Sequence, residues 1–229
     1  MRVALAIMVK LPTPGRVKTR LCPPLTPEQA TELYRCFLLD KMAQVERIAA
    51  ATPYLAFTPR EAQPYFRDLA GETFFVVPQE GKDLGERLDH LSTHLLAAGH
   101  PGAVIVDSDT PSLPDRFLAE AVEWMGDPRT DAVLGPAEDG GYYLVGLRRS
   151  APALFQGITW STPVVLEQTL RAAAGTGIRA HLLPPWYDVD TGKDLGRLAH
   201  DLESNGTAAR HTQRFLEQFT AGRSEGHRS

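Results

Sequence analysis

Residues 104–114 read VIVDSDTPSLP, an apolar run that leads directly into two aspartates and a Thr-Pro turn. Because residues i and i+2 of an extended chain point to the same side, Asp107 and Asp109 are expected to project together from the end of a buried strand, with Ser108 turned away. Two carboxylates at so short a distance repel each other unless a cation lies between them or one of them takes a proton. The pattern fits a Mg²⁺ site, which commonly combines one or two carboxylates with substrate phosphates. The alternative is that both aspartates only cap the following turn and helix.

A second charged stretch follows the first apolar run of the chain. Val3–Val9 has the length and composition of a buried parallel strand, and the loop after it, KLPTPGRVKTRL, carries the four cations Lys10, Arg16, Lys18 and Arg20. Its prolines and glycine exclude regular structure. Since α/β sheets bind ligands at the ends of such strands, the loop is expected to bind a di- or triphosphate. The alternative is a solvated basic loop without a ligand.

Composition limits the classes of function. The chain has 229 residues, enough for one large domain or two small ones, and a net charge of −4, which argues against nucleic-acid binding through bulk charge. Its two cysteines, Cys22 and Cys36, make neither a disulfide framework nor a zinc site. No apolar run reaches membrane-spanning length, and Val3–Val9 lacks the flanks of a signal peptide. A cytoplasmic protein is expected, with no membrane span.

Strands and helices are predicted to alternate along the chain. The predicted strands are Val3–Val9, Tyr54–Phe57, Thr73–Val77, Val104–Val106, Asp131–Leu134, Tyr142–Leu147 (expected to hairpin away) and Ile178–Leu183. The predicted helices begin at the Thr26 cap, at Arg60, at the Asp83 cap, at Pro114, at the Thr162 cap and after Thr191. This alternation is typical of a single three-layer α/β domain with a mostly parallel central sheet, here 1–206, followed by a C-terminal helix and a frayed tail, 207–229.

Charged side chains are expected to meet at one edge of this sheet. Asp188 and Asp190 repeat the i, i+2 spacing of Asp107 and Asp109 after the last predicted strand. Parallel strands would place both pairs and the basic loop beside one cleft. Cations for phosphates and carboxylates for a metal ion are what binding the diphosphate part of a nucleotide requires.

Six segments together resemble one family. They are AIMVKLPTPGRVKTRL, GKDLGERL, VIVDSDTPSLP, GPAEDGGYYLVGL, GITWSTPVVL and DVDTGKDL, in consistent order over roughly residues 2 to 200. They resemble the DUF2064 family of GT-A-like transferases, also called the radical-SAM/selenodomain-associated transferase 1 group. More distantly the chain is similar to nucleotidyltransferases of the same nucleotide-diphospho-sugar transferase-like fold. It departs from them in its first loop, where Pro-Thr-Pro-Gly with cations replaces a Gly-rich sequence, so side-chain cations must carry more of the phosphate binding.

The resemblance implies roles for individual residues. Asp109 would be the principal ligand of Mg²⁺ or Mn²⁺, Asp107 would assist, and Asp190 would supply the second carboxylate. The residues implied in nucleotide and phosphate binding are Lys10, Gly15, Arg16, Lys18, Arg20, Gln79, Gly81, Leu84, Gly85 and Asp107, with Arg87 nearby. The residues implied on the sugar or acceptor side are Asp139, Gly140, Gly141, Trp160 and Ser161, although turn chemistry also accounts for the glycines and core packing for the Trp.

Three functions remain open at this point. The first hypothesis is metal-dependent sugar transfer from a nucleotide-sugar to a small acceptor, with Asp139 as base in an inverting reaction and Lys18 and Arg20 stabilising the leaving group. The alternative is nucleotidyl transfer from an NTP to a phosphorylated metabolite with release of pyrophosphate, which uses the same carboxylates and cations. The third is a nucleotide-binding module without catalysis, because a fold does not prove an activity.

Overall fold

Seven strands and seven α-helices make up the part of the chain that the structure describes. The structure, a computed structural model, describes residues 1–204 and 209–226, with side chains up to residue 221. The strands are β1 Val3–Lys10, β2 Ala51–Thr58, β3 Phe75–Pro78, β4 Ala103–Val106, β5 Ala132–Pro136, β6 Tyr142–Leu147 and β7 Ala180–Leu182. The helices are α1 Pro27–Glu46, α2 Gln63–Ala70, α3 Leu84–Ala97, α4 Asp115–Gly126, α5 Val165–Gly175, α6 Asp194–Ser204 and α7 Arg210–Gly226.

One mixed sheet carries all seven strands, in the order β3-β2-β1-β4-β6-β5-β7. Only β6 runs antiparallel to its neighbours, β4 and β5. The predicted α/β class and mostly parallel sheet are confirmed. The expectation that Tyr142–Leu147 hairpins away is half right: β6 forms a hairpin with β5, but it returns into the middle of the sheet because both of its faces are apolar and buried.

Apolar residues of the strands alternate between two cores, one on each face of the sheet. Leu5 and Ile7 of β1 pack into the core beneath α1 and α4, whereas Ala4 and Ala6 face the core beneath α3 and α5. The small alanines on the second face let α3 lie close to the sheet, since a strand buried on both faces needs its side chains to fit each layer. The carboxyl ends of β1 and β4 therefore emerge side by side between two filled layers.

A third core anchors the basic loop. Leu21 of that loop packs with Phe37 of α1, with Leu198 of α6 and with Val189, which lies before α6. Helix α1 begins where predicted, with the Thr26 side chain accepting from the Gln29 amide and the Gln29 side chain accepting from the Thr26 amide. The loop is thus attached to the C-terminal part of the chain rather than freely solvated.

The predicted start of one helix differs from the structure. Helix α5 begins at Val165 and not at the expected Thr162 cap, because the Thr162 hydroxyl donates to the Thr159 carbonyl instead of accepting from the helix. The expected boundary at 206/207 lies outside the described residues, as do residues 227–229 of the expected frayed tail. Helix α7 itself reaches Gly226 and joins the main body, since Asp40 of α1 accepts from the backbone amides at its start.

Within the ranges that the structure describes, no helix combines the length and apolarity needed to cross a membrane. Cys22 and Cys36 are both free thiols, Cys36 buried and Cys22 partly exposed.

Candidate functional site

The turn after β4 presents Asp107 and Asp109 at the edge of the sheet. The Asp107 amide donates to the Tyr143 carbonyl of β6 (3.0 Å), which ties the turn to the neighbouring strand. Asp107 Oδ1 accepts from the Asp109 amide (3.0 Å) and from the Thr110 hydroxyl (2.9 Å). The capping alternative is therefore right for this one oxygen, while Asp107 Oδ2 and the Asp109 carboxylate are left for other contacts. Ser108 is buried, as its opposite orientation predicts.

The segment after β7 runs alongside this turn. The Val189 amide donates to the Asp109 carbonyl (2.9 Å), and the Trp186 amide donates to the Pro136 carbonyl at the end of β5 (3.0 Å). These two backbone bonds place Asp188 next to the β4 turn. The two Asp-x-Asp segments therefore meet at one sheet edge, as predicted, although they are not paired as β-strands.

Lys18 links both segments to the basic loop. Its Nζ lies 2.9 Å from Asp109 Oδ1 and 3.0 Å from Asp190 Oδ1, and it donates to the Val189 carbonyl at 2.8 Å. Its backbone is left-handed (φ 47°, ψ 37°), a conformation uncommon for a residue other than glycine and often kept where function requires it. Burial disfavours the charged ammonium, but Asp109 and Asp190 outweigh that cost and raise the pKa of Lys18. The Arg20 Nη1 lies 3.5 Å from Asp190 Oδ2 and remains largely exposed.

Asp188 is the site residue that the sequence reasoning did not assign. Its Oδ1 is buried and has no hydrogen-bond partner among the described residues. Burial first, and then the charges of Asp107 and Asp109, raise the pKa of Asp188 to about 9. Burial and the charge of Asp109 likewise raise the pKa of Asp107 to about 6. A carboxyl group without a partner beside two further carboxylates fits a cation site, because a cation would satisfy the oxygen and remove the repulsion.

In the described part of the chain, no group of three or more His, Cys, Asp or Glu side chains is already spaced to hold a metal ion. The Lys18 ammonium lies between Asp109 and Asp190 and occupies the place of a cation there. The donor set nevertheless suits a hard divalent ion, which prefers carboxylate oxygens.

A cleft of about 540 Å³ opens over these groups. It is lined by eleven of the residues singled out from the sequence: Lys10, Arg16, Lys18, Arg20, Gln79, Leu84, Arg87, Asp107, Asp109, Ser161 and Asp190. Five of these are cations and three are carboxylates, so the cleft carries more positive than negative charge in an acidic protein. Such a surface favours an anionic ligand. Ser161, at the rim, has a left-handed backbone with φ 63°.

The end of the cleft beside Gln79 and the start of α3 carries apolar side chains as well as Arg87. Gln79 donates its amide Nε2 to the carbonyls of Val9 (3.1 Å) and Ala56 (2.7 Å), which fixes the amide and leaves Oε1 as a hydrogen-bond acceptor. Met8 also lines this end, and Leu84 is 43% exposed at the start of α3. An apolar surface with one fixed polar atom is suited to a flat heterocyclic base.

Tyr34 forms the floor between these ends and was also missed by the sequence reasoning. Its hydroxyl accepts from the Lys10 amide (2.9 Å) and lies 3.1 Å from the Ser108 hydroxyl. Burial raises the pKa of Tyr34 to about 12, so the phenol stays neutral. It joins the ends of β1 and β4 under the ligand space.

Several residues implied by the resemblance lie outside the cleft. Gly85 is buried against Trp160, where a Cβ would come within 2.7 Å of the indole nitrogen, and both residues line a separate cleft of about 280 Å³. Gly140 meets the Pro163 backbone, where a Cβ would come within 2.1 Å of its carbonyl oxygen. The set not lining the cleft is Gly15, Gly81, Gly85, Asp139, Gly140, Gly141 and Trp160.

Asp139 occupies a turn outside the cleft. It is exposed, and its Oδ1 accepts from the Gly141 amide (2.9 Å), an Asx turn that supports the β5–β6 hairpin. The turn gives Asp139 a structural role, and its charge also contributes to the raised pKa of Asp188.

Comparisons with known proteins agree with this fold. The DUF2064 family, described as an uncharacterized protein conserved in bacteria, matches residues 41–162. A candidate nucleotide-diphospho-sugar transferase from Desulfovibrio desulfuricans G20 superposes with a TM-score of 0.85 and 30% identity, covering 96% of this chain and 99% of that one. The 2-phospho-L-lactate guanylyltransferase of Methanothermobacter thermautotrophicus is 26% identical over 213 residues, 91% of this chain and 89% of that protein.

A more distant structure shares the fold alone. A CMP:2-keto-3-deoxy-manno-octonic acid synthetase solved with CTP superposes with a TM-score of 0.52 at 12% identity, covering 90% of this chain and 100% of that one. The family match over more than half of the chain, together with the 30% identical structure, establishes the resemblance that the sequence motifs predicted. The chain belongs to the DUF2064 family, within the superfamily of nucleotidyl and sugar-nucleotide transferases.

Proposed function

We propose that the protein is a divalent-cation-dependent nucleotidyltransferase that joins an NTP to a small acceptor carrying a phosphate, with release of pyrophosphate. The observation that carries the proposal is the cleft itself, in which carboxylates, Lys18 and exposed arginines surround a space with a base-sized apolar end. The similarity to a guanylyltransferase over 91% of the chain favours this reaction over sugar transfer, the first hypothesis from the sequence.

The residues of the chain divide the work of such a reaction. Asp107, Asp109 and Asp188 would hold Mg²⁺ or Mn²⁺, while Asp190 keeps its contact with Lys18. When bound, the metal ion supplies charge neutralisation on the phosphates and the leaving group. Lys18 and Arg20 bind phosphate oxygens from the loop side, and Lys10 and Arg16 extend that surface along the cleft.

The bond changes follow from this placement. An acceptor phosphate oxygen attacks the α-phosphorus of the NTP, the bond from that phosphorus to the bridging oxygen breaks, and pyrophosphate leaves with the electron pair. The cations stabilise the charge that develops on pyrophosphate. The attacking phosphate is already an anion, so this reaction needs no base at Asp139, whereas transfer to a hydroxyl group does.

The test is a product assay with a fixed set of donors. The protein with Mn²⁺ or Mg²⁺ receives each of the four NTPs with 2-phospho-L-lactate as first acceptor, followed by other phosphorylated acids, and in parallel a panel of nucleotide-sugars. Acceptor-dependent pyrophosphate release supports the proposal. Release of nucleoside diphosphate from a nucleotide-sugar contradicts it in favour of sugar transfer, and tight NTP binding without any product indicates a binding module.

The Asp139→Asn variant separates the two chemistries. Asparagine keeps the oxygen that accepts from Gly141, so the turn is expected to stay intact, but the carboxylate base is gone. The charge of Asp139 is one of those that raise the pKa of Asp188, so the variant alters the charge near the proposed metal site but removes no reacting group. We expect turnover within about fivefold of the parent. A loss of roughly 10²-fold or more, the size of a missing general base, would instead favour sugar transfer with Asp139 as base. Steady-state kinetics of the parent and the variant provide the measurement.

A further inference from the structure

A fully buried lysine lies directly beneath the Asp107 turn. Lys41 of α1 is 1% exposed, and its Nζ donates to the Gln44 side-chain oxygen (2.9 Å), to the Thr110 carbonyl (2.9 Å) and to the Thr110 hydroxyl (3.1 Å). Three partners use all three N–H groups of the ammonium. Burying this cation costs free energy, so its retention under a carboxylate cluster calls for a reason beyond packing.

The Thr110 hydroxyl passes the contact on to Asp107. An ammonium only donates, so the Thr110 oxygen accepts from Lys41, and its single proton is directed to Asp107 Oδ1 at 2.9 Å. That oxygen also accepts from the Asp109 amide (3.0 Å). The hydrogen bonds from Lys41 to Thr110 and from Thr110 to Asp107, with the bond from the Asp109 amide, therefore occupy Oδ1 and fix the plane of the carboxylate. They leave Oδ2 free to bind other groups.

The other contacts of this helix face do not reach Asp107. Gln44 donates to the Leu113 carbonyl (2.5 Å) and to Asp115 Oδ1 (3.0 Å), further along the same loop. Gln44 also accepts from Lys41, so it cannot separate the two effects. Arg47 of α1 donates to both oxygens of Asp115 (2.7 and 2.9 Å) and holds the same loop through bonds that do not involve Lys41, Thr110 or Asp107. Arg47 therefore supplies the control.

We propose that Lys41 and Thr110 are positioning residues that orient Asp107 for the divalent cation. The inference rests on the proposed function only for the presence of a cation site. It concerns how the site is held and not which group is transferred, and a measurement with Mn²⁺ alone addresses it without turnover.

The test is the Thr110→Val variant, which removes the hydroxyl with little change in volume. Loss of a group that orients a metal ligand typically weakens metal binding about 10- to 100-fold, and we expect that change in the Mn²⁺ dissociation constant. Thr110→Ser keeps the hydroxyl and is expected to bind Mn²⁺ like the parent. The free-ion electron paramagnetic resonance signal measures Mn²⁺ binding, and thermal melting reports stability for each variant.

Arg47→Met is the control for a purely structural role. It breaks the hydrogen bonds that hold Asp115 of the same loop to α1, so it is expected to lower the melting temperature without changing Mn²⁺ affinity. Equal Mn²⁺ affinity in Thr110→Val and the parent overturns the proposal, as does an equal loss of affinity in Arg47→Met. If Thr110→Val does not fold, Thr110→Ala and Lys41→Met carry the same expectation.

A parent protein that binds no Mn²⁺ overturns both this inference and the metal dependence of the proposed function. A failed NTP assay together with the expected Mn²⁺ pattern overturns the proposed reaction alone.

Discussion

Replacing Asp109 by alanine is expected to abolish metal-dependent nucleotide binding while the protein stays folded. Asp109 contacts Lys18, neighbours Asp188 and lies at the mouth of the cleft, so its carboxylate is the group most directly offered to a cation. Its side chain is 39% exposed, which limits the stability lost with it. Isothermal titration of the parent and the variant with NTPs, each with Mn²⁺ and with a chelator, measures the effect.

Asp115→Asn provides the control on the same loop. Asp115 faces Arg47 (2.7 Å) and not the cleft, and asparagine keeps an oxygen for Gln44. We expect this variant to bind nucleotides like the parent. Unchanged metal-dependent affinity in Asp109→Ala would show that the cation site is not at the β4 turn.

Replacing Lys18 by methionine is expected to leave Mn²⁺ binding in place but to lower turnover roughly 10²- to 10³-fold, the size of effect seen when one group that stabilises developing charge is removed. The ammonium competes with a metal ion for Asp109 and Asp190 in the free protein, so its loss does not weaken metal binding. With substrate bound, the leaving pyrophosphate loses a buried cation. Pyrophosphate release and Mn²⁺ titration on the same preparation measure both quantities.

The two variants should therefore show opposite patterns. Asp109→Ala loses metal binding, whereas Lys18→Met keeps it and loses turnover. Lys82→Met, an exposed lysine outside the cleft, is expected to behave like the parent. Full turnover in Lys18→Met would contradict its role at the phosphates and would leave it a structural role through its contacts with the Val189 carbonyl, Asp109 and Asp190.

The fold was predictable because its signals are local. Apolar runs of strand length mark all seven strands, and the Thr26–Gln29 capping box marks the start of α1. The position of β6 between β4 and β5 was not predictable, since pairing partners depend on the whole sheet. The start of α5 was misread because Thr162 has a competing acceptor in Thr159, a contact that the spacing of residues does not reveal.

The sequence predicted which charged residues line the site, but it did not predict which of the carboxylates lie together. The sequence placed the basic loop near Asp109. It named Asp190 as the second carboxylate because DVDTGKDL resembles a late segment of nucleotidyltransferases, and it gave Asp188 no role. Only the burial of Asp188 Oδ1 separates them. Lys41 did leave a signal: it lies four residues after Phe37 and three after Leu38, on the apolar face of α1, where a lysine is unusual.

The contact between Lys18 and the Val189 carbonyl joins residues 171 positions apart. During synthesis the first strands can pair while the chain is still growing, but Lys18 has neither Asp190 nor Val189 to contact until almost the whole protein has emerged. The entropic cost of closing so long a loop is offset by the Lys18 contacts only at that late stage. The cleft is consequently among the last parts of the molecule to form, so a chain cut short before Asp188 could assemble much of the sheet and still lack a site.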